Sequence, residues 1–395
     1  MLSFLGSWLL KSDHIDAGRG CMRRWLCWFE FLTFSHNIAL KLILYQFLWI
    51  LPYLMFANYL ERSLLPFRLL CYTDSDYLSV RRPLRRNTHE CIQQFFPNRN
   101  ADPGCRLDQP LRTLIEPTLS STSTSIVVIR SAPASIDYRN YIRSTWKKSL
   151  EPEIPVIFVT GLGNFDLVPE SSQYDDILQL DFVDSYMNLT HKMIATYKYV
   201  LRKRSIKHII VINDDTIVNG TALKRQLLTA QFHPEKRYVI GKVSRGYPRL
   251  FFPWLLWYVP GEMYPHKCYP PFVQGSSFII SREAASEISQ RICDFPFVHL
   301  DDIMMGVVTN CLGIRNVHKE GFDKHFPRIC DFPFVHLDDI MMGVVTNCLG
   351  IRNVHKEGFD KHVPESFTVF HYQYSRYSVE KLQNLWTDLK RNKEL

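Results

Sequence analysis

Four short apolar runs rich in β-branched residues constrain the fold of this 395-residue chain more than any other feature. Each run has the length of a buried strand and is bounded by turn-forming residues. Stretches with helical periodicity lie between the runs. Near-continuous apolar strands that alternate with helices predict an α/β domain, with a mostly parallel sheet covered by helices on both faces. The first predicted strand begins at Ser125, and the other three span residues 154–161, 176–182 and 208–214.

The composition is that of a globular protein, because 46% of the residues are apolar and 22% are charged. The formal net charge is +8, and the Lys and Arg residues are dispersed along the chain rather than gathered in one tail or face. Dispersed basic residues do not form the charged stripe typical of nucleic-acid binding. We therefore expect no nucleic acid among the partners.

An uncharged run of 19 residues, 42–60, predicts a transmembrane helix that contacts the lipid bilayer. As a helix it would measure about 28 Å, close to the hydrocarbon thickness of a bilayer. A buried core helix or an uncleaved signal sequence is the alternative. Basic residues flank the run on both sides, so the positive-inside rule does not set its orientation. The run divides the chain into a tail (1–41), the span, an irregular stem or linker (61–120) and a domain (121–395).

Two features after the predicted span suit an oxidising, lumenal compartment. Sequons at Asn188 and Asn219 are candidate glycosylation sites, although such motifs also arise by chance. Outside the duplicated segment 328–362, the cysteines after the span are even in number, which suits disulfide pairing without fixing the pairs. They are Cys71, Cys91, Cys105, Cys268, Cys293 and Cys311.

The fourth predicted strand runs into an acidic turn, Asn213-Asp214-Asp215. Ligands of open α/β sheets bind beyond the carboxyl ends of the strands, where this turn should emerge. Two carboxylates and an amide are hard oxygen ligands, which suit Mn²⁺ or Mg²⁺ bridging a diphosphate. The alternative is an Asx-type turn that caps the following helix.

Five sequence blocks, in order, resemble motifs of the β-1,3-glycosyltransferase family, which includes the β-1,3-galactosyltransferases and the β-1,3-N-acetylglucosaminyltransferases. The longest block, ESSQYDDILQLDFVDSYMNLTHK, is similar to the family's E-x-x-x-Y-x-D-I-x-x-x-D-F-x-D-S-Y-x-N-L-T-x-K almost throughout. The blocks occupy residues 139–146 (R-x-x-I-R-x-T-W), 170–192, 212–215 (D-D-D), 269–281 (Y-P-P-Y-x-x-G-x-G-Y-x-x-S) and 300–306 (E-D-V-x-x-G).

Three departures from the family pattern, at four positions, bear on the site. Asn213 replaces the first Asp of the metal motif, which leaves two carboxylates. Asp301 replaces the Glu of the E-D-V block and is one methylene shorter. Ser276-Ser277 replaces glycine in the Tyr-Pro block, which we expect to make a loop bulkier where the donor or the acceptor approaches.

The resemblance implies a nucleotide-sugar-binding fold of the glycosyltransferase A type, which is Rossmann-like. It also implies inverting transfer of galactose or N-acetylglucosamine from a UDP-sugar to a glycan acceptor on a glycoprotein or glycolipid. The reaction would form a β-1,3 linkage and use Mn²⁺ or another divalent cation. Such an enzyme would be a single-pass type II protein of the Golgi membrane, with a cytoplasmic tail and a lumenal catalytic domain. The alternative is a catalytically inactive member that binds glycans or supports a partner enzyme.

The resemblance and the chemistry of the reaction together suggest roles for individual residues. We expect Asp302 to be the base that takes the acceptor's proton, with Asp301 second, although helix capping equally explains Asp301. The expected metal ligands are Asp215, Asp214 and His371, although a satisfied or exposed histidine would equally explain His371. An exposed helix position would equally explain Arg139 and Arg143, and a position in the core would equally explain Trp257. The expected donor-binding residues are Arg139, Arg143, Asn213, Asp214, Trp257 and Gly275.

The segment 291–325 is repeated without a change at 328–362, with two residues between the copies. A solenoid needs about three or more units, and no other segment of the chain repeats. The family resemblance requires a single acidic loop of this kind. We therefore interpret the repeat as one catalytic loop written twice.

The fold can place only one of the two acidic pairs opposite the metal motif. We expect this pair to be Asp301 and Asp302, because they follow directly from the preceding predicted helix. Asp338 and Asp339, in the second copy, are the alternative pair. The unused copy must then form a surplus segment.

Deleting residues 326–362 should give a more stable protein, because the surplus copy has no core to receive apolar residues such as Phe334 and Ile340. The measurement is the midpoint of thermal unfolding of the deletion variant against the full chain. A deletion variant that is less soluble or less active would show that the second copy has a structural role.

Overall fold

The computed structural model describes residues 71, 87–119, 122–231, 236–245, 247–250, 253, 257–319, 321–322, 324–325, 367–372 and 376–391. These residues all belong to one compact unit, Leu65–Leu395. The predicted transmembrane helix 42–60 and the second copy, with Asp338 and Asp339, lie outside the described residues. Within the described ranges, no helix is both long enough and apolar enough to cross a membrane.

Helices and strands alternate along most of the described chain. The helices are α1 (Thr88–Phe95), α2 (Ile136–Ser144), α3 (Lys147–Leu150), α4 (Val168–Tyr174), α5 (Leu189–Leu201), α6 (Gly220–Gln231), α7 (Arg282–Arg291), α8 (Asp301–Leu312) and α9 (Val379–Arg391). The strands are β1 (Thr113–Ile115), β2 (Ser125–Arg130), β3 (Val156–Leu162), β4 (Ile177–Val183), β5 (His208–Asn213), β6 (Thr216–Val218), β7 (Tyr238–Ser244), β8 (Phe272–Ser281), β9 (Arg315–His318), β10 (Lys324–His325) and β11 (Val369–Tyr372).

The described strands form an eight-stranded mixed sheet in the order β1-β4-β3-β2-β5-β8-β7-β9. Its four neighbours β4, β3, β2 and β5 are parallel, and they are the four strands that the sequence predicts. β8 runs antiparallel to both β5 and β7, and β1 is an antiparallel edge strand. The prediction of an α/β domain around a parallel sheet is confirmed.

The apolar runs are continuous because both faces of the sheet are buried. In β2, Ile126 and Val128 belong to one hydrophobic cluster, whereas Val127 and Ile129 belong to another. The first cluster includes apolar residues of α1, α5, α7 and α8, and the second those of α2, α3, α6 and α9. Successive side chains of a strand point to opposite faces, so helices cover the sheet on both sides, as predicted.

A second, three-stranded sheet of described residues has the order β10-β11-β6. β6 begins at Thr216, directly after the acidic turn, and Thr216 pairs with His371 of β11. Lys324 of β10 pairs with His371 from the other side. This register brings a C-terminal histidine beside the acidic turn, about 155 residues away along the chain.

The first copy of the repeat is built into the fold through α8, β9 and β10. Helix α8 packs against β8, and disulfides join Cys91 to Cys311 and Cys105 to Cys293. A third disulfide joins Cys71 to Cys268. All six cysteines that the sequence sets aside as an even number are therefore paired.

The prediction that Ser276-Ser277 lies in a loop is wrong. These residues lie inside β8, where Ser276 is 4% exposed and Ser277 is 1% exposed. β8 is paired on both edges, with Ser277 opposite Ile212 of β5, so its side chains face the interior rather than an approaching substrate. Small side chains suit this position because neighbouring strands and helices enclose it.

Candidate active site

The candidate site lies where the strand order of the parallel sheet reverses. The chain goes from β2 to β3 on one side, and β5 lies on the other side of β2. A reversal of this kind opens a binding crevice at the carboxyl ends of the two flanking strands. We call this region the strand-end site and define it by Arg130, Ser131, Asn213, Asp214 and Asp215.

Arg130, the last residue of β2, joins four elements in the strand-end site. Its Nε and Nη2 donate hydrogen bonds to Asn213 Oδ1 at 3.1 and 2.6 Å. Its guanidinium also donates to the carbonyl of Gly275 on β8 and forms an ion pair with Asp301 on α8. The side chains of Arg130 and Asp301 are only 9% and 8% exposed. Arg130 has no predicted role, since a single basic residue at a strand end belongs to no motif.

The Arg130 ion pair distinguishes the two candidate bases. Asp301 is buried and paired with Arg130, so its carboxylate is already engaged inside the protein. Asp302 is half-buried in the first turn of α8, and its Oδ1 accepts a hydrogen bond from the Ile303 amide at 2.8 Å. The geometry favours Asp302 as the residue that meets an acceptor.

Gly275 gives the acidic pair close contact with the backbone of β8. A Cβ atom at this position would lie 3.5 Å from Asp301 Oδ1 and 3.5 Å from the Asp302 Cβ. Gly275 therefore lines the same corner as Asp301 and Asp302, and its carbonyl accepts from Arg130.

The departure at Asn213 agrees with this arrangement. Its amide oxygen accepts two hydrogen bonds from Arg130, so the charge of Arg130 is balanced by Asp301. A second carboxylate at position 213 would place two buried anions on one cation, which is unfavourable without a further positive charge.

Asp214 is buried and is held by two protein donors. Ser131 Oγ donates to its Oδ2 at 2.9 Å, and Arg376 Nη2 lies 2.6 Å from its Oδ1. Burial raises the pKa of Asp214, and the opposing effects of Arg376 and Ser131 do not cancel the increase. Asp214 is therefore the more costly of the two carboxylates to keep charged.

Asp215 has the opposite electrostatic environment. Its Oδ1 lies 3.2 Å from His371 Nε2. Burial alone would raise the pKa of Asp215, but His371 and Arg376 outweigh burial, and the pKa is lowered. Asp215 is thus held as a carboxylate next to an imidazole nitrogen.

The residues present fit a divalent cation that is completed by substrate. Within the described ranges, no three His, Cys, Asp or Glu side chains form a metal-binding cluster. Asp215 and His371 nevertheless offer one oxygen and one nitrogen at adjoining positions. Mg²⁺ and similar cations are often held by one or two carboxylates, with phosphate oxygens and waters filling the other positions. His371 and Asp215 match that pattern, and Asp214 adjoins them.

Lys192 and Asp184 connect the ends of β2, β3 and β4. Lys192 Nζ donates to Asp184 Oδ2 and to the carbonyl of Ser131, both at 2.7 Å. The Gly161 amide of β3 donates to Asp184 at 2.8 Å. Both charged residues belong to the long family block, but their pairing is not evident from sequence because a block of motifs does not specify contacts.

The two predicted donor-binding arginines lie inside a buried ion-pair network. Arg139 forms two hydrogen bonds to Glu170 (2.8 and 2.6 Å), and Arg143 forms two to Asp176 (2.9 and 2.7 Å). Arg143 also donates to Glu170 at 2.7 Å, and Lys147 to Asp176 at 2.7 Å. Arg139 is 0% exposed and Arg143 is 9% exposed, so the alternative of exposed helix positions is wrong.

The network also leaves the predicted diphosphate contact without structural support. Every guanidinium nitrogen of Arg139 is engaged. Nε donates to Glu170, and Nη2 donates to Glu170 and to the Pro133 carbonyl. Nη1 donates to Ser131 Oγ and to the Ala132 carbonyl. These bonds fix the turn that follows β2. Arg139 thus holds the turn that carries Ser131 of the strand-end site.

The remaining predicted residues make other contacts among the residues that the structure describes. Trp257 is half-buried against the larger hydrophobic cluster. The Asn188 side chain donates to the Val183 carbonyl at 2.9 Å, and Thr190 of the same sequon is buried. Asn219 accepts the Ala222 amide at 2.9 Å and so caps α6. Glycosylation of the two asparagines stays a prediction.

Comparison with known proteins gives the class of the domain. Residues 137–320 match the family model described as galactosyltransferase. Human β-1,3-galactosyltransferase 2 is 31% identical over 193 residues, covering 46% of this chain and 46% of that protein. Mouse β-1,3-galactosyltransferase 1 is 30% identical over 207 residues, covering 50% of this chain and 63% of that protein. The chain thus spans about half to three-fifths of the length of these relatives.

Among solved structures, galactosyltransferase LgtC with donor and acceptor sugar analogs aligns at a TM-score of 0.36 and 9% identity, covering 68% of this chain and 100% of that one. A likeness this slight carries no weight here. Residues 137–320 are therefore similar to a galactosyltransferase domain, and the resemblance to β-1,3-glycosyltransferases seen in the sequence is confirmed.

Glu170→Gln should lower the free energy of unfolding by about 3–5 kcal/mol, because Arg139 and Arg143 would lose a buried anionic partner. Burial raises the pKa of Glu170, but hydrogen bonds and charges from the two arginines outweigh it and lower the pKa. The stabilisation is therefore complete above the pKa of the unfolded state. It is lost as the pH falls through the folded-state pKa, so the variant should show a flatter acid limb.

Urea denaturation at several pH values measures this effect. The matched control is Glu153→Gln, which breaks an exposed pair with Lys224 (3.0 Å, Glu153 side chain 68% exposed) and should change stability by less than about 1 kcal/mol. Equal losses in the two variants would contradict a special role for the buried network.

Proposed function

We propose that this protein is an inverting glycosyltransferase that moves galactose or N-acetylglucosamine from a UDP-sugar to a hydroxyl of a glycan acceptor, forming a β-1,3 linkage. The acceptor glycan belongs to a glycoprotein or a glycolipid. One observation carries the proposal: Arg130 joins Asn213 of the acidic turn to Asp301 at the start of α8, and the adjoining Asp302 is half-buried. A carboxylate base on one element and carboxylates for a metal on another are the groups that this reaction requires.

The reaction makes one bond and breaks one bond at the anomeric carbon of the donor sugar. The acceptor oxygen forms the new bond while the bond to the diphosphate oxygen breaks, and attack from the opposite face inverts the configuration. Asp302 takes the proton of the acceptor hydroxyl as its oxygen attacks. Arg130 keeps Asp301 from competing for that proton.

Asp215 and His371 would hold a divalent cation such as Mn²⁺, with Asp214 beside them. When bound, such a cation supplies Lewis-acid neutralisation of the charge that develops on the departing diphosphate. The Lys192–Asp184 pair and the Ser131 hydroxyl keep the acidic turn in position beneath the donor.

We place the domain in the Golgi lumen, anchored by the predicted span 42–60. Three disulfides among the described residues support an oxidising compartment, because such bonds persist poorly in the cytosol. The anchor and the orientation of the chain rest on the sequence alone.

Transfer should be detectable with UDP-galactose or UDP-N-acetylglucosamine, Mn²⁺ and a panel of β-linked glycan acceptors. Chelation by EDTA and the variant Asp215→Ala should each abolish the reaction, and NMR of the product should show the β-1,3 linkage. No transfer and no donor hydrolysis in a folded sample would contradict the proposal. Binding of glycans by such a sample would favour the inactive family member instead.

Asp302→Asn should lower the turnover number by about 100- to 10,000-fold while UDP binding is kept, because only the proton acceptor is lost. The repeat supplies a matched control. Asp339 has the same neighbours in sequence as Asp302, and Asp339→Asn should leave turnover unchanged. Steady-state kinetics of the two variants measure this difference. A loss confined to Asp339→Asn would show that the second copy supplies the base.

A further inference from the structure

Arg376 differs from the other cations around the strand-end site in its exposure. The side chain of Arg130 is 9% exposed, that of Arg139 0%, that of Arg143 8% and that of Lys192 4%. The Arg376 side chain is 41% exposed, although it touches Asp214. Arg376 therefore offers positive charge to solvent at the acidic turn.

The contacts of Arg376 leave part of its guanidinium available. Its Nη2 lies 2.6 Å from Asp214 Oδ1 and donates to Ser135 Oγ at 3.2 Å. The guanidinium carbon lies 3.7 Å from the centre of the Tyr138 ring. Among the described residues, Nε and Nη1 have no hydrogen-bond partner. The ring orients the planar group, and two donors are left for a ligand.

The position of Arg376 also suits an anion. Ser135 is the residue before α2, so the guanidinium stands at the N-terminal end of this nine-residue helix. The partial positive charge of a helix N-terminus adds to that of the arginine. Arg139 and Arg143 lie on the same helix but are engaged inside the protein, as described above. Arg376 is thus the better candidate for the diphosphate contact that the sequence assigns to them.

The present partner of Arg376 is one that donor binding would displace. Asp214 and Asp215 are adjacent carboxylates, and a divalent cation held at Asp215 would supply positive charge to Asp214. That charge would weaken the ion pair between Asp214 and Arg376. Once Nη2 is released from Asp214, it forms with Nε one edge of the guanidinium, and the oxygens of a diphosphate match that edge.

We propose that Arg376, and not Arg139 or Arg143, binds the diphosphate of the nucleotide donor and exchanges Asp214 for it. The inference rests on the proposed function, since it requires that a nucleoside diphosphate enters the strand-end site. Arg376 then acts as a recognition residue that separates UDP from uridine.

Calorimetric titration of the full chain with UDP and with uridine, each in the presence of Mn²⁺, tests this role. Arg376→Ala should weaken UDP binding by about 10- to 100-fold and leave uridine binding unchanged. Arg376→Lys should restore part of the UDP affinity, because it keeps the charge but not the planar pair of donors. The control Arg237→Ala, which removes an exposed pair with Glu287, should bind both ligands as the unaltered chain does.

The outcomes separate this inference from the proposed function. An Arg376→Ala variant that binds UDP as tightly as the unaltered chain overturns the inference and leaves the proposed function standing. Equal weakening of UDP and uridine, or a lowered unfolding midpoint that accounts for the loss, makes Arg376 a structural residue and also overturns it. An unaltered, folded chain that does not bind UDP overturns both.

Discussion

The ion pair between Arg130 and Asp301 is the interaction on which the site depends. One guanidinium at the end of β2 reaches the acidic turn after β5, the backbone of β8 and the start of α8. Removing the arginine would leave Asp301 as an unpaired buried charge, which typically destabilises a protein by about 3–5 kcal/mol. The same pair also distinguishes two adjacent aspartates that are chemically alike. Asp301 becomes part of the framework, whereas Asp302 stays half-buried.

Buried charge recurs throughout the half of the sheet that forms the site. Arg139, Arg143 and Lys147 meet Glu170 and Asp176 in one network, and Glu151 adds a third anion at 3.2 Å from Lys147. The three cations are thus matched by three anions. Such networks are costly to desolvate and add little net stability compared with apolar packing. Their bonds to backbone carbonyls after β2 show what they do here, which is to fix the turns that carry the ligand-facing groups.

Much of the fold was predictable because it follows from local pattern. The β-branched runs identify β2, β3, β4 and β5, and their continuity predicts burial on both faces. β8 escaped prediction because its Gly and Ser residues are typical of loops, and only its pairing with β5 and β7 makes it a strand. Composition describes the residues of a segment, whereas strand pairing depends on distant neighbours.

The site was less predictable, because its contacts join residues far apart in the chain. Arg130 and Asp301 are separated by 171 positions, and Arg139 and Glu170 by 31. Sequence motifs identified Asp214, Asp215 and His371 as a group, but they could not show that Arg139 and Arg143 face inward. They ranked Asp302 above Asp301 as the base, but they could not show that Asp301 is paired with a cation contributed by another strand.

The repeat affects folding because it contains a second copy of two cysteines that form disulfides. Cys311 and Cys293 close bridges to Cys91 and Cys105, yet Cys348 and Cys330 have identical neighbours in sequence. Bridging Cys91 to the later copy would enlarge a loop of 220 positions by 37, which costs only about 0.1 kcal/mol of closure entropy. Neither thiol chemistry nor loop length therefore distinguishes the two partners. Two such disulfide isomers would have nearly equal closure entropy, so chain order together with the surrounding packing must select between them.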